Sequence, residues 1–437
     1  MNTFERQPLY AGYAYAYPHK TAYRALDPPV ALRQVWAADR SDALFLYLHA
    51  PFCEMRCGFC NLFTTVNPPS SFAQDYLAAL RRQASRAREA VGEVSFARLA
   101  IGGGTPTYLD ESGLESLFDI TERIFGVDPR GIPVSVETSP LTAEIGKLRL
   151  LRERGVDRIS IGVQSFIEAE VKAVGRSQKT AVVEQALDRI RGVGFTTLNT
   201  DLIYGLPGQT TGSWLESLRA ALRFAPEELY LYPLYVRPST GLGRRGQKAE
   251  DDLRLACYRA GRRLLLESGY KQVSMRMFQS ARATSAVGPA YCCQNDGMVG
   301  LGCGARSYTR ELHYSSEYAV GATGIREILA AYIAKTDEAF DFADYGFELG
   351  GAEQRRRFVI QSLLQVEGLD FAAYRERFGS ETLDDLPELS RLEDRGLAIR
   401  EDDRLRLTEA GLEMSDVIGP ALYSTRVRNL MESYQLQ

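Results

Sequence analysis

The chain has 437 residues, of which 45% are hydrophobic and 25% are charged, and its formal net charge is −4. This length predicts two or three domains, and the composition gives no indication of binding to nucleic acid or to a membrane surface. The first residues lack the apolar stretch of a signal peptide and no segment has the apolar length of a membrane span, so we expect a cytoplasmic protein. We also expect a monomer.

Residues 1–40 show no regular helical or strand period and are rich in tyrosine. They include the sequence Tyr17-Pro-His-Lys20. We interpret this segment as an N-terminal arm that packs against the main domain. The alternative is that Tyr17, His19 and Lys20 reach into a substrate cavity.

Residues 41–240 alternate short apolar runs with amphipathic helical patterns. The predicted strands are Leu44–Leu48, Arg98–Ile101, Val134–Glu137, Arg158–Gly162, Thr197–Leu202 and Glu228–Tyr232. The predicted helices lie near 71–90, 111–125, 141–154, 179–193 and 211–224. Six β/α repeats predict an α/β fold with parallel strands, a partial (β/α)6 barrel of the TIM type, whose chemistry gathers at the carboxyl ends of the strands.

Three cysteines, Cys53, Cys57 and Cys60, follow the first predicted strand in the pattern C-x-x-x-C-x-x-C. In the cytosol they are expected to be reduced and able to bind metal. A structural zinc site takes four protein ligands, and an ordinary four-iron cluster is held by four cysteines. Three thiolates leave one iron of a [4Fe-4S] cluster open, which resembles the radical S-adenosylmethionine (SAM) enzymes. A zinc site completed by another residue, such as His49, is the alternative.

Other unusual residues also fall at the ends of predicted strands. Gly102-Gly-Gly-Thr-Pro-Thr107 follows the second strand, where backbone N–H groups can hold an amino-acid ligand. Glu137, Gln164 and Asp201 end later strands. We expect them to face one SAM pocket as an acceptor for the amino group, an amide for the carboxylate or sulfonium region, and an acceptor for the ribose hydroxyls. Arg176 is a partner for the SAM carboxylate. Taken singly, each of these residues is equally well explained as a solvated loop residue or a helix cap.

The C-terminal half has two further parts. Residues 241–348 form a barrel extension with a helix near 249–267 and a glycine-rich segment, Gly297–Gly304. Residues 349–437 read as three helices, a hairpin over 398–407 and a last helix, which predicts a winged-helix-like domain. Its many acidic residues leave no basic face for DNA, so we interpret it as a cap or lid. Cys257, Cys292, Cys293 and Cys303 are expected to be structural.

Together these motifs resemble the HemN-like branch of the radical SAM superfamily, which contains oxygen-independent coproporphyrinogen III dehydrogenase and related heme chaperones. The resemblance covers about residues 43–425. It is carried by Tyr47–Cys53, Gly102–Thr107, Arg158–Phe166, Asp201–Thr210, Gly300–Ser307 and the C-terminal module.

The resemblance implies roles for individual residues. Tyr47 is expected near SAM, with backbone contacts from Gly103, Gly104 and Thr105. It also implies side-chain contacts from Glu137, Gln164, Arg176 and Asp201, and, more loosely, Tyr235 and Arg306. Arg306 lies where the family can hold a second SAM or a substrate, and Tyr47, Glu137 and Arg306 are the catalytic candidates.

The resemblance also implies a reaction. A flavodoxin- or ferredoxin-like donor would reduce the cluster, SAM would be cleaved to a 5′-deoxyadenosyl radical, and that radical would attack a small-molecule substrate or a second SAM. One departure matters, because Leu62 stands where the porphyrinogen dehydrogenases carry a further cysteine. We therefore expect methyl or methylene transfer from a second SAM. Decarboxylation of coproporphyrinogen III and heme delivery with little catalysis are the alternatives.

Overall fold

A computed structural model describes residues 8–10, 12–37, 39, 43–238, 240–248, 250–283 and 291–434. At its centre, six parallel strands lie side by side in chain order, as predicted. These barrel strands are Leu44–Ala50, Phe96–Gly103, Val134–Thr138, Arg158–Gln164, Thr197–Tyr204 and Glu228–Pro233. The partial (β/α)6 barrel is confirmed, and the carboxyl ends of its strands share one edge.

The crossover helices are also confirmed. They are Ser70–Val91, Glu111–Asp119 with the π-helical turn Ile120–Ile124, Ile145–Glu153, Thr180–Val193 and Thr211–Leu222. Side-chain caps fix two of the starts: Asp110 accepts from the Gly113 amide at 2.8 Å, and Thr210 and Ser213 form a capping box. A short helix over Glu168–Ala173 was not predicted, because six residues are too few to show a helical period.

The sheet extends beyond the barrel on both sides to thirteen strands. Met298–Leu301 runs parallel to the first barrel strand, on the side away from the second. This strand was not predicted, because it lies inside the glycine-rich segment. Glycine is needed at position 300 because a Cβ there would lie 2.1 Å from the Arg306 carbonyl oxygen of the adjacent strand. Further antiparallel strands are Arg306–Tyr308, Leu312–Ser315, Phe342–Glu348 and Arg24–Ala31 on this side, and Met277–Ser280 and Tyr270–Gln272 on the other.

The N-terminal arm has regular structure that its sequence did not reveal. Arg24–Ala31 pairs with Phe342–Glu348, and Leu32–Ala37 is helical. The preceding residues pack into the core of the C-terminal module and not only against the barrel. Ala14, Tyr17, Ala22 and Tyr23 are buried in that core. The arm therefore contributes buried side chains to both hydrophobic cores of the molecule.

The C-terminal module has a second hydrophobic core, separate from the one that surrounds the barrel. A small three-stranded sheet of Leu369–Asp370, Ala398–Glu401 and Arg404–Leu407 provides the predicted wing. Three helices follow the hairpin where one was predicted, since the chain leaves helical geometry at Met414 and again after Ala421. The module's helices are Gly351–Leu363, Phe371–Phe378, Thr382–Asp385, Ser390–Asp394, Glu409–Glu413, Ser415–Ala421 and Thr425–Glu432.

The remaining helices belong to the extension of the barrel. They are Gly241–Arg244, Asp251–Glu267 and Ala322–Ala334. Across the part of the chain that the structure describes, no helix combines the length and apolar character needed to cross a membrane.

Candidate active site

A cavity of about 1540 Å³ opens at the carboxyl edge of the barrel strands. This exceeds the roughly 300–1,000 Å³ of most small-molecule sites, so it has room for more than one ligand. The structure brings every predicted site residue to its wall. Lining it are Tyr47, Cys53, Cys57, Cys60, Gly103, Gly104, Thr105, Glu137, Gln164, Arg176, Asp201, Tyr235 and Arg306.

The cysteine loop is held by hydrogen bonds along its length. The Cys60 amide donates to the Cys57 carbonyl at 3.0 Å, and the Gly58 amide donates to Val174 O at 2.7 Å. Two of the thiols also have polar neighbours, since Thr105 Oγ1 lies 3.6 Å from Cys53 Sγ and Arg176 Nη1 lies 3.4 Å from Cys57 Sγ. Burial raises the pKa of Cys53 to about 12. Binding a metal as thiolate therefore requires this group to lose a proton that burial favours.

The donor set fits an iron–sulfur cluster better than a zinc ion. In the described ranges, no three His, Cys, Asp or Glu side chains converge closely enough to hold one metal ion. A zinc site requires such convergence, whereas cysteines bound to a cluster bind different iron atoms. When bound here, a [4Fe-4S] cluster would be held by Cys53, Cys57 and Cys60. His49, the alternative zinc ligand, instead donates through Nε2 to Phe63 O at 3.1 Å.

Glycines let the second barrel strand lie close to the cysteine loop and to the first barrel strand. A Cβ on Gly104 would lie 2.5 Å from Phe52 O and 3.0 Å from Cys53 Sγ. Gly103 has φ of +116°, and a Cβ there would lie 2.5 Å from the His49 ring. The absence of a side chain at Gly104 lets the strand approach the cysteine loop, and its absence at Gly103 leaves room for the His49 ring of the first barrel strand.

The backbone amides of this glycine segment are already used within the chain. The Gly103 amide donates to Glu137 Oε2 at 3.0 Å, the Gly104 amide to Ala50 O at 2.9 Å and the Thr105 amide to Phe52 O at 2.6 Å. These three N–H groups therefore have partners within the chain, and their use by a ligand stays a prediction. Backbone carbonyl oxygens remain as acceptors, and these suit an amino group.

Two acidic residues line the cavity from the barrel strands: Glu137 lies next to the last residue of the third strand, and Asp201 lies within the fifth strand, three residues before its end. Burial raises the pKa of Glu137 to about 7, against the Gly103 hydrogen bond, although the side chain is accessible to solvent inside the cavity. Burial likewise raises the pKa of Asp201 to about 6, against hydrogen bonds from Asn199 and Ser160. Both carboxyls face the cavity, and neither forms an ion pair within the described part of the chain. They are suited to accept hydrogen bonds from amino and hydroxyl groups.

Gln164 has unusual backbone geometry. Its φ is +70° and the pairing of its strand shifts register there. Such a conformation costs free energy in a residue other than glycine, and it persists where the surrounding structure imposes it, often at functional sites. A Cβ on Gly162 would lie 2.8 Å from Gln164 Nε2, so the neighbouring glycine makes room for this side chain.

Arg176 lies against the cysteine loop. Its guanidinium donates to Gln178 Oε1 at 2.7 Å and to Gly162 O at 2.6 Å, in addition to its contact with Cys57. These bonds fix the guanidinium in place and use most of its donors. The structure therefore makes Arg176 a support of the cysteine loop, and its pairing with a SAM carboxylate stays a prediction.

Tyr47, Tyr235 and Arg306 occupy different parts of the cavity wall. Tyr47 Oη lies 3.3 Å from His49 Nδ1, and burial raises the pKa of the Tyr47 hydroxyl well above its ordinary value. The Tyr235 hydroxyl donates to Asp416 of the C-terminal module and accepts from Arg276. Arg306 lies over the Tyr308 ring, 5.4 Å from its centroid, and is half-buried. Arg306 therefore lies on the cavity wall.

The N-terminal arm contributes wall residues that the favoured interpretation left out. His19 and Lys20 line the cavity, so the alternative placement of the arm is correct for these two side chains. It is wrong for Tyr17, which is buried and whose hydroxyl donates to Glu353. Arg237 was missed altogether. Its position just beyond the sixth barrel strand was the signal that could have found it.

The four other cysteines lie off the cavity wall. Cys257 and Cys303 are buried, and Cys303 Sγ donates to Ser316 Oγ at 3.6 Å. The thiols of Cys292 and Cys293 share one acceptor, Gln294 Oε1, at 3.2 Å each. The structure gives none of these four a place at the cluster loop.

Comparison with protein families finds two matches. Residues 47–221 match the Radical SAM superfamily, and residues 350–413 match the HemN C-terminal domain. The first range spans the cysteine loop and most of the barrel, and the second covers most of the C-terminal module.

Several characterised proteins are similar over most of the chain. The heme chaperone HemW of Bacillus subtilis is 28% identical over 375 residues, covering 84% of this chain and 95% of its own. The oxygen-independent coproporphyrinogen III oxidase of Escherichia coli is 28% identical, with 91% of each chain covered. HemW of Escherichia coli is 30% identical, covering 60% of this chain and 69% of its own.

A solved structure shares the fold. The coproporphyrinogen III oxidase HemN from Escherichia coli, described as a radical SAM enzyme, superposes with a TM-score of 0.78 at 25% identity, covering 89% of this chain and 92% of its own. The fold, the three-cysteine loop and the family matches thus define a radical SAM protein. Within that superfamily, the chain belongs to the HemN-like branch, which includes the coproporphyrinogen III oxidases and the HemW chaperones.

Proposed function

We propose that this protein binds a [4Fe-4S] cluster through Cys53, Cys57 and Cys60, binds SAM beside it, and acts on a small organic molecule held in the same cavity. When bound, the cluster would supply the electron that cleaves SAM reductively to a 5′-deoxyadenosyl radical. The observation that carries the proposal is the convergence of three thiols and the candidate SAM contacts on one cavity that is larger than one ligand needs.

The chain's own residues would bind SAM and exclude water. Glu137 would accept from the amino group of SAM, and Asp201 from its ribose hydroxyls. Gln164, aimed by its strained backbone, and Tyr47 would line the remaining part of the SAM pocket. Arg176 would hold Cys57 in position. The cavity wall around these groups would limit the access of solvent to a reactive species.

The relatives suggest which molecules to test first. Proteins of this branch are named coproporphyrinogen III oxidases and heme chaperones, so tetrapyrroles are the first candidates. None of the relatives named above is a methyltransferase, so methyl or methylene transfer gains no support from them. We keep it only as a possible product in the experiment below. Leu62 lies on the cavity wall and is 47% exposed, which supports contact with an apolar molecular surface.

The test is anaerobic reconstitution of the full chain with iron and sulfide, followed by incubation with a reductant and labelled SAM. Coproporphyrinogen III and heme are added in separate reactions. We expect the protein to bind iron only when all three cysteines are present, and to form 5′-deoxyadenosine from SAM. Mass spectrometry would identify a modified substrate. Stoichiometric heme binding without 5′-deoxyadenosine would instead support a chaperone, the second candidate, which the match over 95% of HemW favours. Zinc bound in place of iron would contradict both.

A further inference from the structure

Three cationic side chains stand together on the cavity wall without acidic partners. Lys20 comes from the N-terminal arm, Arg237 from the loop after the sixth barrel strand, and Arg306 from the strand Arg306–Tyr308. All three are half-buried. Among the residues that the structure describes, no Asp or Glu oxygen forms an ion pair with any of them.

These cations repel one another. Burial lowers the pKa of Lys20 well below its ordinary value, and the charges of Arg306 and Arg237 lower it further. The pKa of His19 is lowered in the same way by burial and then by Lys20, Arg237 and Arg306. These groups therefore lie close enough together in the cavity to act on one another's charge. Grouping like charges in this way costs free energy unless an anion neutralises them.

Within the chain, the three cations have only weak substitutes for a counterion. Lys20 Nζ donates to Asn61 O at 3.3 Å and lies 3.6 Å from the centroid of the Tyr318 ring. Arg306 lies over a tyrosine ring in a similar way. The buried Nε of Arg237 has no hydrogen-bond partner. These contacts leave N–H donors available to a ligand.

The acidic residues that line the cavity are engaged elsewhere or lie outside this group. Glu228 pairs with Arg158 at 2.7 Å, and Glu54 accepts from Ser139 at 2.5 Å. Glu317 is exposed, and its charge helps to raise the pKa values of Tyr345 and Tyr434. The others accept hydrogen bonds from their own surroundings: Glu137, Asp157 and Asp201. None of them is a counterion for the three cations.

We propose that Lys20, Arg237 and Arg306 hold an anionic group, a carboxylate or a phosphate, of the substrate that reacts in this cavity. The proposal rests on the function proposed above and adds the chemical class of the substrate. Because Lys20 contacts the carbonyl of Asn61, the residue after Cys60, the anionic group would lie beside the cluster loop. Leu62 and the Tyr318 ring offer apolar contact nearby. The substrate is therefore an organic anion with an apolar body.

Ligand-dependent unfolding of the full chain tests this without requiring turnover. Citrate, inorganic phosphate, coproporphyrin III and the uncharged tetramethyl ester of coproporphyrin III are titrated separately. Unfolding temperature and calorimetric affinity are measured for each. We expect at least one anion to stabilise the wild type, and we expect the ester to do so less than the free acid. Comparing the effect of citrate with that of phosphate distinguishes recognition of a carboxylate from recognition of a phosphate.

The variants are Lys20→Met and Arg237→Gln, with Arg310→Gln as control, because Arg310 is exposed and pairs with Glu311. Each cavity variant should bind the stabilising anion about tenfold to a hundredfold more weakly, since a charge-assisted contact is lost. Without anion, each should unfold at the wild-type temperature or above it, because a repelling charge is gone. The control should behave as wild type in both measurements.

Three results would overturn the proposal. The first is that no tested anion stabilises the wild type, and the second is that the cavity variants respond to anions as the wild type does. The third comes from SAM titrations of the same variants. If SAM binding weakens by the same factor as anion binding, the cations hold the carboxylate of SAM and not that of a substrate. Formation of 5′-deoxyadenosine by the wild type is a separate measurement, so either proposal can fail alone.

Discussion

The raised pKa of Glu137 predicts that SAM binding depends on pH. Its carboxyl titrates at about pH 7 in the ligand-free protein because the surrounding protein disfavours the charged form. Only the ionised form is a strong acceptor for the amino group of SAM. Ionisation falls as pH falls through 7, so SAM affinity should fall in the same direction. Between about pH 8 and about pH 6 the ionised fraction drops about tenfold, and the dissociation constant should rise by at most about tenfold from this group.

Asp201 adds a smaller effect with the same sign. Its pKa of about 6 leaves it about half ionised at about pH 6, which contributes roughly a further twofold. The Glu137→Gln variant should bind SAM about tenfold to a hundredfold more weakly at about pH 8, because a charge-assisted hydrogen bond is lost. It should retain only the twofold dependence due to Asp201.

Anaerobic calorimetry on reconstituted protein measures both quantities. Glu144→Gln is a matched control, since Glu144 is an exposed carboxylate that pairs with Lys147 at 3.1 Å. It should reproduce the wild-type profile. A wild-type affinity that stays constant from about pH 8 to about pH 6, or a Glu137→Gln variant with the full wild-type slope, would refute the placement of the SAM amino group beside Glu137.

Three further predictions concern the cluster loop and the C-terminal module. Cys57→Ala should lose bound iron and SAM cleavage, because two protein thiolates remain. Gly104→Ala should lower iron retention, measured after gel filtration, because its Cβ would lie 2.5 Å from Phe52 O and displace the cysteine loop. Asp416→Ala should lower the free energy of unfolding by about 3–5 kcal/mol in a denaturant titration, because it leaves the buried Arg276 guanidinium unpaired.

Each of these three has a control and a contrary outcome. Cys257→Ala should keep its iron, and full iron in Cys57→Ala would remove that cysteine from the ligand set. Gly192→Ala should be harmless, as the added Cβ meets nothing within 4 Å beyond its chain neighbours and the backbone of its own helix, so equal iron loss there would argue against a local clash. Replacing Arg276 with methionine together with Asp416→Leu should cost less than Asp416→Ala, since no buried charge remains. An equal cost would mean that packing alone accounts for the loss.

The arm and the C-terminal module show why part of the site was hidden from the sequence. Lys20 reaches the cavity because Tyr17 and Tyr23 are buried in the core of the C-terminal module. The Tyr17 hydroxyl contacts Glu353, 336 positions away in the chain. No local period reports such a contact, because it depends on how distant segments pack. The same holds for Tyr235, whose hydroxyl is bound by Asp416.

The barrel, the three-cysteine loop and the cavity residues on its strands, such as Glu137 and Asp201, could be predicted from local sequence patterns. Repeating β/α units bring the carboxyl ends of parallel strands to one edge, so local periodicity and position in the chain are sufficient to predict which residues meet there. The partners of those residues became apparent from the folded arrangement alone. It shows that the amides of Gly103, Gly104 and Thr105 donate to acceptors within the chain, and that Lys20 lies on the same cavity wall as Arg237 and Arg306. Hydrogen-bond partners and the balance of charge depend on contacts between distant segments, which no short pattern of residues encodes.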